Sequence, residues 1–167
     1  MEITPTIPTI LRTEKSTISK IEKPTEYLWQ PSDRFKSIPK DELWGMILKA
    51  SNRHQVNPVL IAAVIQSESW GDPTLIGSKG EIGLMQLKRS STKYTREQLL
   101  DPQTNIYAGT VVLKENLNRS KNLDMALALY NVGDEKVGKH GGIPKFARPY
   151  INSVKRHMQE IERKTTA

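Results

Sequence analysis

The stretch IQSESWGDP, residues 65–73, sets a carboxylate, Glu68, where an apolar helix ends. Stepping back from Glu68 by three, four and seven residues meets Ile65, Val64 and Ile61, all apolar. A charge that continues a buried face is costly unless it has a partner or a task. The last turn of a helix also carries the partial negative end of the macrodipole. Burial and dipole both disfavour the anion, so both raise the pKa. A carboxyl group that holds its proton near neutral pH is what a general acid requires. The other reading is a Glu paired with a Lys or Arg, or one rotated just off the core. Position alone leaves both open.

Other chemistries are thinly represented. The chain has no cysteine, which excludes disulfides, thiolate metal sites and a thiol nucleophile. His54, His140 and His157 are widely separated and show no metal-ligand spacing, so no metal and no cofactor are expected. There is no Gly-rich phosphate loop and no Ser/His/Asp arrangement. A net charge of +7 on 167 residues favours polyanionic partners such as nucleic acid, anionic lipid or a carboxylate-rich cell wall, or is simply a soluble surface. Without a recognition-helix motif or an aromatic-basic platform, nucleic acid is not the expected partner. No run approaches roughly 18 consecutive apolar residues, so no membrane span is expected. The first residues lack a basic start followed by an apolar core, so no Sec-type signal is expected either.

The elements that must position Glu68 follow from capping and periodicity. Residues 1–38 carry Pro5, Pro8, Pro24 and Pro31 and no surviving period, which reads as an extended or disordered arm; residues 39–167 read as the domain. Leu43, Ile47 and Ala50 predict a helix over 40–54. Asn57–Pro58 is a cap followed by a first-turn proline, opening the helix that ends at Glu68 and Ser69. Gly77, Gly80 and Gly83 punctuate an irregular segment over 74–100, with short strands as an option. Asp101–Pro102 opens another helix, Asn122 the next, with Gly133 as its stop. Pro144 opens the last, whose stripe is Ala147, Ile151, Val154, Met158 and Ile161. The fold class is mainly α.

Four segments then stand in order, Glu68–Ser69, Gly83–Leu84–Met85–Gln86, Tyr130–Asn131–Val132–Gly133 and HGGIPKFARPYI over 140–151, with Asp101–Pro102–Gln103–Thr104–Asn105–Ile106 between them. This order resembles the catalytic domain of the soluble lytic transglycosylases, relatives of goose-type lysozyme, over about residues 42–157. The resemblance implies a lysozyme-like α-rich fold whose cleft binds peptidoglycan glycan strands. It implies that Glu68 is the sole catalytic acid/base, acting on the β-1,4 bond between N-acetylmuramic acid and N-acetylglucosamine to leave a 1,6-anhydro product. A muramidase, or a wall-docking assembly protein without catalysis, is the alternative.

The remaining motif residues acquire tasks by the same route. Ser69 would hydrogen-bond substrate or orient the carboxyl group. Gly83 would let backbone approach a sugar, Met85 would pack inward at the substrate site, and Gln86 would offer an amide to a hydroxyl or N-acetyl group. Tyr130 would either pack in the core or point its hydroxyl at the acid and the sugar. Asn131 is a ligand contact or a helix-end cap, and Tyr150 keeps its place in the pattern. Three departures stand out. Lys88–Arg89 follow Leu87 where the family often has Met-Pro two residues past the Gln, and Glu81 replaces a frequent alanine and reads as solvated. The late Glu-Thr-Arg element gives way to Phe146–Ala147–Arg148, removing polar support behind the acid. With no Sec signal, the expected setting is a phage virion or release at host lysis, or a secretion or conjugation machine, with the arm as attachment segment and the wall as site of action.

Overall fold

The computed structural model describes residues 38–165. The arm expected over 1–38 therefore lies outside the described residues, save Ile38.

Among the described residues, six α-helices build the domain. They are α1 (Lys40–His54), α2 (Pro58–Ser69), the single-turn α3 (Arg96–Leu99), α4 (Pro102–Arg119), α5 (Leu123–Lys139) and α6 (Arg148–Thr165). Each start has a local cause. Asn57 Oδ1 accepts from the Val59 N–H at 2.8 Å, Asp101 from Thr104 at 2.8 Å, and Asn122 from Met125 at 2.9 Å. These side chains satisfy amides that have no partner within the first turn.

The helix that carries Glu68 is the centre of the core. From Pro58 to Gln66 every residue of α2 is buried, so its burial is all round rather than a one-sided stripe. Burying each Leu, Ile or Val here contributes about 1.5–3 kcal/mol. Helix α6 packs along α2, α4 lies against α1 and α5, and α5 closes onto α6. Trp70, left-handed at φ 53°, ends α2 and directs the chain into the glycine-bearing segment.

Several local expectations are corrected. The 74–100 segment holds no strand, only the isolated bridges Ile76–Ile82 and Ile82–Leu87, a 3-10 turn at Arg89–Ser91 and the one-turn α3. That last helix forms because Thr95 and Gln98 make a reciprocal capping box. Gly133, at φ 81° and ψ 168°, kinks α5 rather than ending it. Pro144 precedes a 3-10 turn at Lys145–Ala147, and α6 starts only at Arg148. The buried face of α6 takes in His157, while Met158 is only partly buried.

Candidate active site

Glu68 sits in the last turn of α2, and two contacts hold that turn against α6. Ser67 Oγ lies 3.3 Å from Ser153 Oγ, and the exposed Trp70 ring meets His157 edge-on with centroids 5.6 Å apart. The carboxyl group opens onto a cavity of about 450 Å3, whose walls come from the glycine segment, α4 and α5. Among the described residues, no cation pairs with it. Desolvation raises its pKa from 4.5 to about 7, with a further push from Glu81 and opposition from the Tyr150 hydroxyl. Glu68 is intermediate in burial and lines the cavity.

Gln86, at the end of the Gly83–Gln86 segment, forms part of this cavity wall, and the backbone of the segment is pinned from several sides. Ser69 Oγ donates to Leu84 O at 2.8 Å while accepting from the Gly71 N–H at 3.1 Å. Asn105, buried on α4, accepts from the Met85 N–H and donates to Ile82 O and Leu99 O, each at 2.8 Å. Tyr130 of α5 donates its hydroxyl proton to Met85 O at 2.9 Å. The Gln86 amide donates to Leu75 O and Gly83 O at 3.0 and 2.9 Å. Every one of these bonds ends on backbone, all but the one to Leu99 of α3 in the loop, so the wall is rigid before any ligand arrives.

This clamp reassigns several residues. Ser69 is 4% exposed with its hydroxyl occupied, so it holds the loop instead of touching substrate or the acid. Gly83 is required because a Cβ would fall 2.6 Å from Asn105 Nδ2 and 2.9 Å from Leu99 O, at a φ of 72°. The close approach is to protein, not to a sugar. Met85 is fully buried, its thioether seated on Gly109 of α4, so its side chain does not reach the cavity. The Tyr130 hydroxyl donates to Met85 O, the residue lines the same cavity as Glu68, and burial followed by the Glu68 charge raises its pKa well above the ordinary tyrosine value.

Gln86, held at φ 47°, and the exposed Asn131 do line the cavity. Glu81, expected to be solvated, lies in the cavity wall with 21% of its side chain exposed. Tyr150, in the first turn of α6, supplies the polar support that the missing Glu and Thr left open. Its buried hydroxyl makes no bond of full hydrogen-bond geometry, yet stands close enough to Glu68 to favour the anion. Asn105 was present in a quoted motif without a role. A buried amide one turn inside a capped helix was its only signal.

Comparison with known proteins now decides the family, because residues 45–151 match the transglycosylase SLT domain. The chain belongs to that family. It is 38% identical over 91 residues to a transglycosylase of Enterobacteria phage PRD1, covering 54% of this chain and 34% of that protein. It is 36% identical over 77 residues to an endo-type membrane-bound lytic murein transglycosylase A of Cronobacter sakazakii, covering 39% of the chain and 38% of the relative. The chain thus spans little more than a third of these relatives. The fold of the SLT domain is similar to that of the lytic transglycosylase Slt of Pseudomonas aeruginosa, solved as an inactive mutant. The TM-score is 0.64 at 19% identity, over 74% of this chain and 24% of that one. Among the described residues, no group of three or more His, Cys, Asp or Glu could hold a metal ion, and no helix is long and apolar enough to cross a membrane.

Proposed function

We propose that this SLT domain is a peptidoglycan lytic transglycosylase with Glu68 as its acid and base. The observation that carries the reading is an unpaired carboxyl group at the end of a buried helix, open to a cavity and protonated up to a pH of about 7. Such a group gives its proton to the oxygen of the glycosidic bond between N-acetylmuramic acid and N-acetylglucosamine as that bond breaks. The carboxylate left behind then takes the proton of the muramoyl 6-hydroxyl, whose oxygen bonds to the anomeric carbon. No water is consumed, Glu68 ends protonated again, and one product carries a 1,6-anhydro ring.

Gln86 and Asn131 are the polar side chains placed to meet sugar hydroxyl or N-acetyl groups, with Tyr130 beside them in the cavity wall. Ser69, Gly83, Met85 and Tyr150 act through the wall and the acid. Because Glu81 puts a second carboxylate on the cavity, hydrolysis with water in place of the 6-hydroxyl is the reading to test against this one. Mass spectrometry of sacculi digested with the protein separates the two. Anhydromuramoyl ends are expected, and reducing ends alone would assign it to the hydrolases.

The setting we infer is a phage particle or a lysis system acting at the host wall, with a secretion or conjugation machine as the alternative. The PRD1 relative supports the phage reading, and a net charge of +7 suits approach to an anionic wall. Residues 1–38 would be the attachment segment to that machinery. Deleting them should abolish incorporation into particles and leave wall cutting intact.

A further inference from the structure

Glu81 is built into the cavity rather than left at its rim. It closes a tight turn in which the Gly77 N–H donates to Glu81 O at 2.8 Å and the Gly80 N–H to Gly77 O at 3.0 Å. A Cβ at position 77 would lie 2.5 Å from Glu81 Oε2 and 2.7 Å from Gln86 Oε1, so the bare glycine backbone leaves room for both oxygens. The Lys79 N–H donates to Glu81 Oε2 at 3.0 Å, and Lys88 Nζ stands 3.8 Å from Oε1. Ile82, the next residue, is buried and bridges to both Ile76 and Leu87, which anchors the turn to the wall. With a protein partner on each of its oxygens, this carboxylate is held as a fixed charge and is poorly placed to attack a sugar or drive a water molecule.

Resting on the reading of Glu68 as the acid, we propose that Glu81 is a positioning residue for the reaction, a second carboxylate in the cavity wall that acts on the Glu68 proton and not on the substrate. The other groups around Glu68 do not duplicate it. On α4, Glu115 is exposed and Arg119 is tied to Asp134 of α5 at 2.8 Å. Tyr130 of α5 donates to Met85 O, Tyr150 of α6 opposes the effect, and His157 of α6 pairs with Glu160 at 3.3 Å. Helix α1 sends no charged side chain into the cavity. Both carboxyl groups line one cavity, and a negative charge at Glu81 disfavours the Glu68 anion, so Glu81 helps Glu68 stay protonated.

The test is the pH–rate profile of wall digestion by the full chain as wild type, Glu81→Gln, Glu81→Asp and Lys88→Met. Removing the charge in Glu81→Gln should move the alkaline limb to lower pH by about half a pH unit, so the ratio of rates at pH 8 and pH 5 falls about threefold. Glu81→Asp keeps the charge and should restore the limb. Lys88→Met removes a cation and should not move it down. NMR titration of the labelled Glu68 carboxyl group should show the same displacement without substrate. An unmoved limb, or an equal loss at both pH values, would overturn the proposal. If Glu81→Gln does not fold, a downward limb in Lys88→Met does so. Loss of activity in Glu68→Gln with Glu81→Gln unmoved sinks this inference alone, whereas an active Glu68→Gln removes the function it rests on.

Discussion

Replacing Glu68 with glutamine should remove catalysis and stabilise the fold, and the second effect has a size and a pH window. In the native state the Glu68 carboxyl releases its proton at about pH 7, against 4.5 for an unperturbed group. At 1.36 kcal/mol per pKa unit, ionising it in place costs about 3 kcal/mol of folding stability. Below pH 4.5 the group is protonated in folded and unfolded chains alike, and the cost is absent. It grows as the pH rises from 4.5 to 7, because only the unfolded chain ionises freely, and is complete above 7. Glutamine has no proton to release and escapes the cost throughout. For a folded unit of this size about 3 kcal/mol corresponds to roughly 10 °C in Tm. Thermal unfolding of both proteins from pH 4 to 9 is the assay. The mutant's Tm should exceed the wild type's by an amount that climbs through that window and then levels off. An offset already present at pH 4 reflects packing of the amide, and only the climb above it measures the cost of ionisation. A difference that stays flat with pH, or that falls, would refute the claim that burial holds the proton on Glu68.

Other consequences concern the wall and the tyrosine behind the acid. Asn105→Ala strands the Met85 N–H and the Ile82 and Leu99 carbonyls. It should lower stability by about 3 kcal/mol in denaturant titration and raise KM more than it lowers kcat. A variant of wild-type stability would show that the wall holds itself. Tyr150→Phe removes a hydroxyl that favours the Glu68 anion. Its alkaline limb in the pH–rate profile should therefore move to higher pH, opposite to Glu81→Gln, and movement the other way would exclude Tyr150 from the acid's environment.

The elements were readable in the chain because their causes are local. Asn57–Pro58, Asp101–Pro102 and Asn122 announce helix starts through contacts within three residues, and those starts stand where the residues place them. Gly133 was visible as a break, though not as a kink, since helical structure resumes after it through contacts that periodicity does not record. The short α3 was missed because a four-residue helix has no period to detect; its Thr95–Gln98 capping box was the available sign.

The sequence by itself determined that Glu68 stands in the last turn of an apolar helix, and so that burial and the helix dipole would push its pKa up unless a cation paired with it. Both follow from spacing along one helix and from the cost of placing charge in an apolar setting. Only the tertiary structure decided what the neighbouring motif residues do. Ser69, Gly83, Met85, Asn105 and Tyr130 are up to 61 positions apart, yet they meet around one stretch of loop backbone, occupying there the polar atoms that had been assigned to a sugar. The charge of Glu81 was likewise plain in the chain. Its place on the acid's cavity was not, because that depends on a turn closing at Gly77 and on where α2 ends relative to that turn, which no one-dimensional spacing encodes.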